Sequence, residues 1–167
     1  MFDWVYLDLD AALVVFLRLA IAFLLALPIG WERERNARTL GLRTFPLVAL
    51  ASAAYLTIAE EVFVTDVNAQ ARVLQGLMMG IGFIGGGAIL RGRNDDAVHG
   101  TATAAGVWAT GALGASVAYG RLDIAIIISF LTFATFRWIT PLKEAVERRA
   151  GIPSSRRPSD EADGHFD

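Results

Sequence analysis

The sequence predicts an all-α integral membrane protein. It reads as five transmembrane helices with the N-terminus outside, the C-terminus cytoplasmic and a glycine-rich third helix at the centre. Three observations predict this. Hydrophobic residues fill 54% of the 167 positions and mean hydropathy is +0.47, above the roughly 45–50% apolar content of an ordinary soluble domain. The apolar residues fall in five runs, each close to the ~20 residues that a hydrocarbon core of ~30 Å requires. The arginines then alternate from side to side between those runs.

The spans fall at about residues 11–31, 43–61, 72–91, 101–119 and 122–140. Met1 to Asp10 carries three aspartates and no basic residue, so it does not read as a secretory signal. The first run is broken by Arg18 and Pro28. The second has Pro46 near its start, where the missing N–H has no helical partner anyway. The third, Arg72 to Arg91, holds six glycines between Gly76 and Gly87. The fourth is again small, with Ala105, Ala109 and Ala112 on one face. The fifth is β-branched and aromatic and ends at Pro141. Eleven basic residues lie in the loops and tail on one side of this arrangement, and only Arg72 and Arg121 on the other. The excess marks the cytoplasmic side. Residues 142–167 are charged and poor in apolar groups, and are expected to form a disordered cytoplasmic tail.

At about 100° per residue, Gly76, Gly80 and Gly87 line one side of the third helix, and Gln75, Gly82 and Gly86 a second. Both Gly76/Gly80 and Gly82/Gly86 are pairs of small residues four apart, the spacing that lets helices approach closely in lipid. Two small faces predict two close neighbours and hence a central position. The sharper alternative is that Gly80 to Gly87 leaves helical geometry and points bare backbone into a cavity.

Several polar residues are candidates for function. Arg18 lies in the outer half of the first span, where a charge is costly unless it snorkels or pairs. Asp123 and Glu60 are its available partners. Glu32 falls 14 residues later, within about 40° of the same helical face. With Arg33, Glu34, Arg43 and Thr44 it forms the cytoplasmic mouth, where a Glu32–Arg43 pair would fix the loop or hold a cation. Asp95 and Asp96 are weak candidates for Mg²⁺, with Glu32, because Mg²⁺ keeps its waters and needs only one or two carboxylates. A solvated polar turn explains them as well. Thr101, Thr103 and Thr110 suit hydrogen bonds to a helix neighbour or backbone. His99 stands alone. No nucleophile–base arrangement, phosphate-binding loop or nucleic-acid motif is present, so no enzyme activity, cofactor, nucleotide or nucleic-acid partner is expected. Cysteine is absent, which excludes thiol chemistry.

Gly41-Leu42-Arg43-Thr44 and Gly100-Thr101-Ala102-Thr103 open spans two and four from the same side, a faint internal echo. With Gly30–Arg35 (GWERER), Gly41–Pro46 (GLRTFP), Arg72–Ile89 and Val98–Trp108 (VHGTATAAGVW), the sequence resembles the membrane domain of the MgtC/SapB family. The resemblance runs from Arg18 to the end of the fifth span. Arg18, Glu32, Arg33, Glu34, Gly41, Arg43, Thr44, Arg72, Gly80, Gly82, Phe83, Gly85, Gly87, Gly100, Thr103 and Trp108 match its pattern. Many relatives have Ala at the place of Gly86, and Leu-Thr-Thr at Thr101-Ala102-Thr103. Some carry a cytoplasmic C-terminal domain, which this chain is expected to lack. The resemblance implies a bacterial inner-membrane protein linked to low-Mg²⁺ adaptation, a modulator of other membrane complexes rather than a transporter. Two functions are therefore expected: an interaction protein that regulates another membrane protein or self-associates, or a passive transporter of Mg²⁺ or another small solute. A lipid-organising protein is a third reading.

Overall fold

A computed structural model describes residues 8–36, 40–91 and 98–139. Five α-helices form the bundle: α1 (Leu9–Asn36), α2 (Thr44–Val62), α3 (Val67–Gly87), α4 (Thr101–Ala118) and α5 (Leu122–Ala134). A single π-helical turn, Thr135–Ile139, continues α5. Between α3 and α4 the short antiparallel strands β1 (Leu90–Arg91) and β2 (Val98–His99) pair, where the sequence reads simply as a polar turn. Asp95, Asp96 and the tail 142–167 lie outside the described residues.

Four helix ends have a local cause. The Asp8 carboxylate accepts from the Asp10 and Ala11 amides at 3.0 and 3.2 Å and opens α1. Asp66 caps α3 by accepting from Ala69 N at 2.9 Å, so that helix starts at Val67, before Arg72. Gly100 stands before α4 with φ +90°, and a Cβ there would lie 2.0 Å from the Ala88 carbonyl oxygen. At the far end of α4, Gly120 (φ +66°) lets the Arg121 amide reach back to the Ser116 carbonyl at 2.8 Å, a Schellman closure.

Three stretches are long and apolar enough to cross a membrane: Leu9–Arg35, Thr44–Val62 and Leu122–Ile139. In α3 and α4, glycine and polar residues such as Gln70, Arg72, Gln75, Thr101 and Thr103 dilute the hydropathy. Large apolar side chains are exposed around the bundle, among them Phe16, Leu24, Tyr55, Ile58, Phe83, Ile127, Phe130 and Trp138. Such a belt suits hydrocarbon rather than water.

The centre of the bundle is α4, not α3. Helix α4 packs on all four other helices and buries Thr103, Gly106, Val107, Thr110, Gly111, Leu113, Gly114 and Val117. Three of its glycines each admit a neighbour. A Cβ on Gly114 would lie 2.2 Å from the Ala49 carbonyl of α2, one on Gly111 2.3 Å from Ile81 Cδ1 of α3, and one on Gly106 2.4 Å from the Phe136 ring. Gly106, Thr110 and Gly114 recur every four residues, so the small-residue spacing does operate here. The alanine face of Ala105 and Ala112 is exposed instead.

Helix α3 sits at the rim between α2 and α4, and only Ile81 and Gly85 are buried. Gly85 lies against Ala104, whereas a Cβ on Gly76, Gly80, Gly82, Gly86 or Gly87 would meet nothing within 4 Å. The helix is regular through Gly87, so the broken-helix alternative does not hold. Small residues state that a backbone can be approached; they do not state whether the approaching helix belongs to the same chain.

Gly114→Ala is therefore expected to push α2 from α4 and to cost about 1–3 kcal/mol, read as a lower thermal midpoint in detergent. Gly82→Ala should leave the midpoint unchanged or raise it, since Ala is the better helix former. The reverse order would restore α3 to the centre.

Candidate functional site

Four helix ends meet at the arginine-rich pole: the end of α1, the starts of α2 and α4, and the π turn after α5. Adjacent positions on α1, Glu32 and Arg33, are both buried there, with 5% and 9% exposure. The Arg33 guanidinium donates to Thr103 Oγ1 on α4. Its Cζ lies 4.8 Å from the centre of the Phe136 ring, a cation–π contact worth about 2 kcal/mol or more once desolvated. Phe136 in turn meets Phe45 of α2 edge-on, with 6.3 Å between centroids and 83° between planes. The missing side chain of Gly106 makes room for the ring.

The π turn sets this register. Its extra residue per turn brings Phe136 inward, while Arg137 stays exposed and reaches back to Glu32, Nη1 to Oε1 4.0 Å. The mouth thus has Glu32 facing Arg137. Arg43 is exposed and turns into a groove between α2 and α3, so the expected Glu32–Arg43 pair is not the one formed.

Glu34 holds the loop together. Its Oε2 accepts from the Leu42 amide at 2.9 Å and clasps the α1–α2 connection. Gly41 is required beneath it, since a Cβ would lie 2.0 Å from that oxygen. Gly30 likewise leaves room for Leu42, Gly41 and Pro46, whose atoms would lie 3.1–3.3 Å from a Cβ there. The echoed glycines, Gly41 and Gly100, thus each relieve a close contact just before an inward helix.

The remaining candidates are dispersed. Arg18 pairs with Glu60 of α2 at 3.7 Å near the opposite pole, one of the two partners open to it. Asp123 binds Arg121 instead, at 3.0 and 2.7 Å. Gln75 is exposed on α3, Trp108 is half-exposed on α4, and Thr44 is half-buried at the groove. Thr110 bonds its own helix at the Gly106 carbonyl, 2.8 Å. Among the described residues no three His, Asp or Glu side chains converge as a metal site would need.

Phe136 and Arg137 are absent from the sequence-based candidates. The available signal was Arg137 itself, a charge inside an otherwise apolar run, and Phe45 within the GLRTFP element. Arg33→Met should lower stability by about 3 kcal/mol, because it removes the buried hydrogen bond to Thr103 and the cation–π contact with Phe136. Arg137→Met, at an exposed contact, should cost about 1 kcal/mol or less. Equal losses in detergent unfolding would show that the pole does not depend on Arg33.

Residues 19–145 match the MgtC family. Protein SrpB of Synechococcus elongatus is 37% identical over 130 residues, covering 71% of this chain and 70% of its own. Protein MgtC of Brucella abortus is 35% identical over 133 residues, 79% of this chain and 54% of that protein. YhiD of Escherichia coli K12, whose name proposes a magnesium transporter, is 32% identical over 122 residues, 70% of this chain and 56% of its own. The chain thus spans little more than half the length of the latter two. No solved structure matches. The matched residues take in the whole pole, from Glu32 and Arg33 through Thr103 to Phe136, and the chain is a membrane protein of the MgtC family.

Proposed function

We propose that this is a five-span protein of the bacterial inner membrane, N-terminus outside and C-terminus cytoplasmic. It acts by binding another membrane protein and changing its activity during magnesium limitation or envelope stress. The observation that carries this reading is the outward face of α3. Gly82 and Gly86 are exposed at the rim, with nothing within 4 Å of an added Cβ, and Met79 beside them is 70% exposed. In a bilayer, such a face lets another helix approach at backbone distance. The eleven-to-two asymmetry of basic residues supports the orientation.

A passive route for Mg²⁺ or another small solute is the second reading. The name of the E. coli relative and the buried Glu32 favour it. Against it, the Arg33 guanidinium lies at the same pole as Glu32 and opposes a cation there, and the Phe45 and Phe136 rings fill the space between the helix ends.

A strain lacking the protein is expected to grow poorly in Mg²⁺-limited medium and to be rescued by wild type. Gly82→Leu should reach the membrane at wild-type level yet fail to rescue, and should lose a membrane partner that crosslinks to wild type through α3. Purified protein in liposomes should leave an imposed Mg²⁺ gradient intact. Protein-dependent Mg²⁺ flux with full rescue by Gly82→Leu would replace this reading with the second.

A further inference from the structure

A second feature of α3 lies on its other side. Between α2 and α3 runs an open groove of about 830 Å³. Its floor is glycine, Gly76 and Gly80; its walls include Leu47, Tyr55 and Phe83; its mouth holds Arg43 and Thr44. Phe83 is 86% exposed and Tyr55 60%, so the walls stand open to the side.

We propose that this groove holds one acyl chain of an anionic glycerophospholipid, with the phosphate group on Arg43 at the start of α2. Three observations fit this occupant. The first is length. The lining runs from Thr44 to Tyr55 on α2 and from Val73 to Ile84 on α3, about 17 Å of helix in each case. That is close to one leaflet, half of a hydrocarbon core of ~30 Å. A partner's transmembrane helix would need the full thickness. The lining ends at Tyr55 and Val73, short of the turn in which the Gln70 side-chain amide donates to the Phe63 carbonyl at 2.8 Å.

The second is charge. Arg43 is exposed at the mouth, and among the described residues it has no ion pair. The third is contrast. A smaller groove of about 290 Å³ between α3, α4 and α5 also holds an arginine, Arg121. That guanidinium is already bound by Asp123 through two hydrogen bonds, so that groove offers no comparable charge. In the five-span orientation Arg43 meets the cytoplasmic leaflet, whose anionic lipids attract juxtamembrane cations. The proposal uses a different face of α3 from the Gly82/Gly86 face and stands independently of it.

Native mass spectrometry of the purified full chain tests this. The protein would be equilibrated with equimolar phosphatidylglycerol and phosphatidylcholine of identical chains. Wild type should retain phosphatidylglycerol about fivefold over phosphatidylcholine, the gain expected from one cation at the surface. Arg43→Gln should lose the preference, while Arg72→Gln, an exposed arginine at the other end of α3, should keep it. Gly80→Leu projects into open space, so it should fold normally, shown by an unchanged thermal midpoint, and reduce retention of both lipids. Equal retention of the two lipids by wild type would overturn the proposal. So would a preference that survives Arg43→Gln. If Gly80→Leu instead removed an oligomer and left lipid retention intact, the groove would belong to a second copy of the chain, and the proposal would fail.

Discussion

The bundle depends on how closely α4 approaches α2. In lipid, apolar side chains gain little by leaving hydrocarbon for one another, so helix association rests on dispersion contacts between surfaces that can come near. At Gly114 the missing side chain lets the Ala49 carbonyl of α2 lie where a Cβ would be. The rest follows from that contact. Gly111 one turn back accepts Ile81 of α3, and Gly106 two turns back accepts Phe136 of the π turn. Hydroxyls within this core turn back on their own helices, as Thr110 does to Gly106 and Ser52 to Val48. Thr57 Oγ1 of α2, also buried, has no hydrogen-bond partner among the described residues.

The same approach creates the charged pole. With Phe136 seated over Gly106, its ring face is available to the Arg33 guanidinium. A cation in the last turn of α1 is favoured by the helix dipole, and the neighbouring Glu32 is disfavoured by it. Arg137 faces Glu32 at 4.0 Å and supplies opposing charge to a carboxylate that is 5% exposed. The pole is thus a consequence of packing as much as of electrostatics, because α4 brings Thr103 and Phe136 to one guanidinium.

Much of this is legible in the sequence, and the illegible parts share a cause. Five apolar runs separated by polar turns gave the helices, and the GLRT and VHGT elements marked two helix starts that the structure explains through Gly41 and Gly100. Arg18 read as a charge that either snorkels or pairs with Asp123 or Glu60, and in the structure it lies 3.7 Å from Glu60. The Glu32–Arg43 pair failed because helical angles place residues on one helix, whereas the direction of Arg43 is set by a turn. Phe136 and Arg137 escaped notice because a π turn shifts register by one residue, and no periodicity announces it. The central place assigned to α3 failed for a related reason. Thr110 completes the small spacing of α4 between Gly106 and Gly114, so the helix with fewer glycines is the one whose glycines are used within the chain.

That leaves the glycines of α3 in need of a physical account. Each helix-interior glycine costs about 1 kcal/mol relative to alanine in water, and tight packing is the usual return in a membrane. Among the glycines of α3 only Gly85 receives that return, from Ala104; a Cβ added at Gly76, Gly80, Gly82, Gly86 or Gly87 would meet nothing within 4 Å. Their contribution to the folded chain alone is therefore unfavourable. A helix composed this way gains only when something outside the chain lies against it. The geometry divides the open glycines between two such surfaces. Gly76 and Gly80 floor a groove one leaflet deep with an arginine at its mouth, and Gly82 and Gly86 face outward with no wall beside them. A chain of hydrocarbon can follow the first, which is walled and charged at one end. The second, open along its length, suits the backbone of another helix.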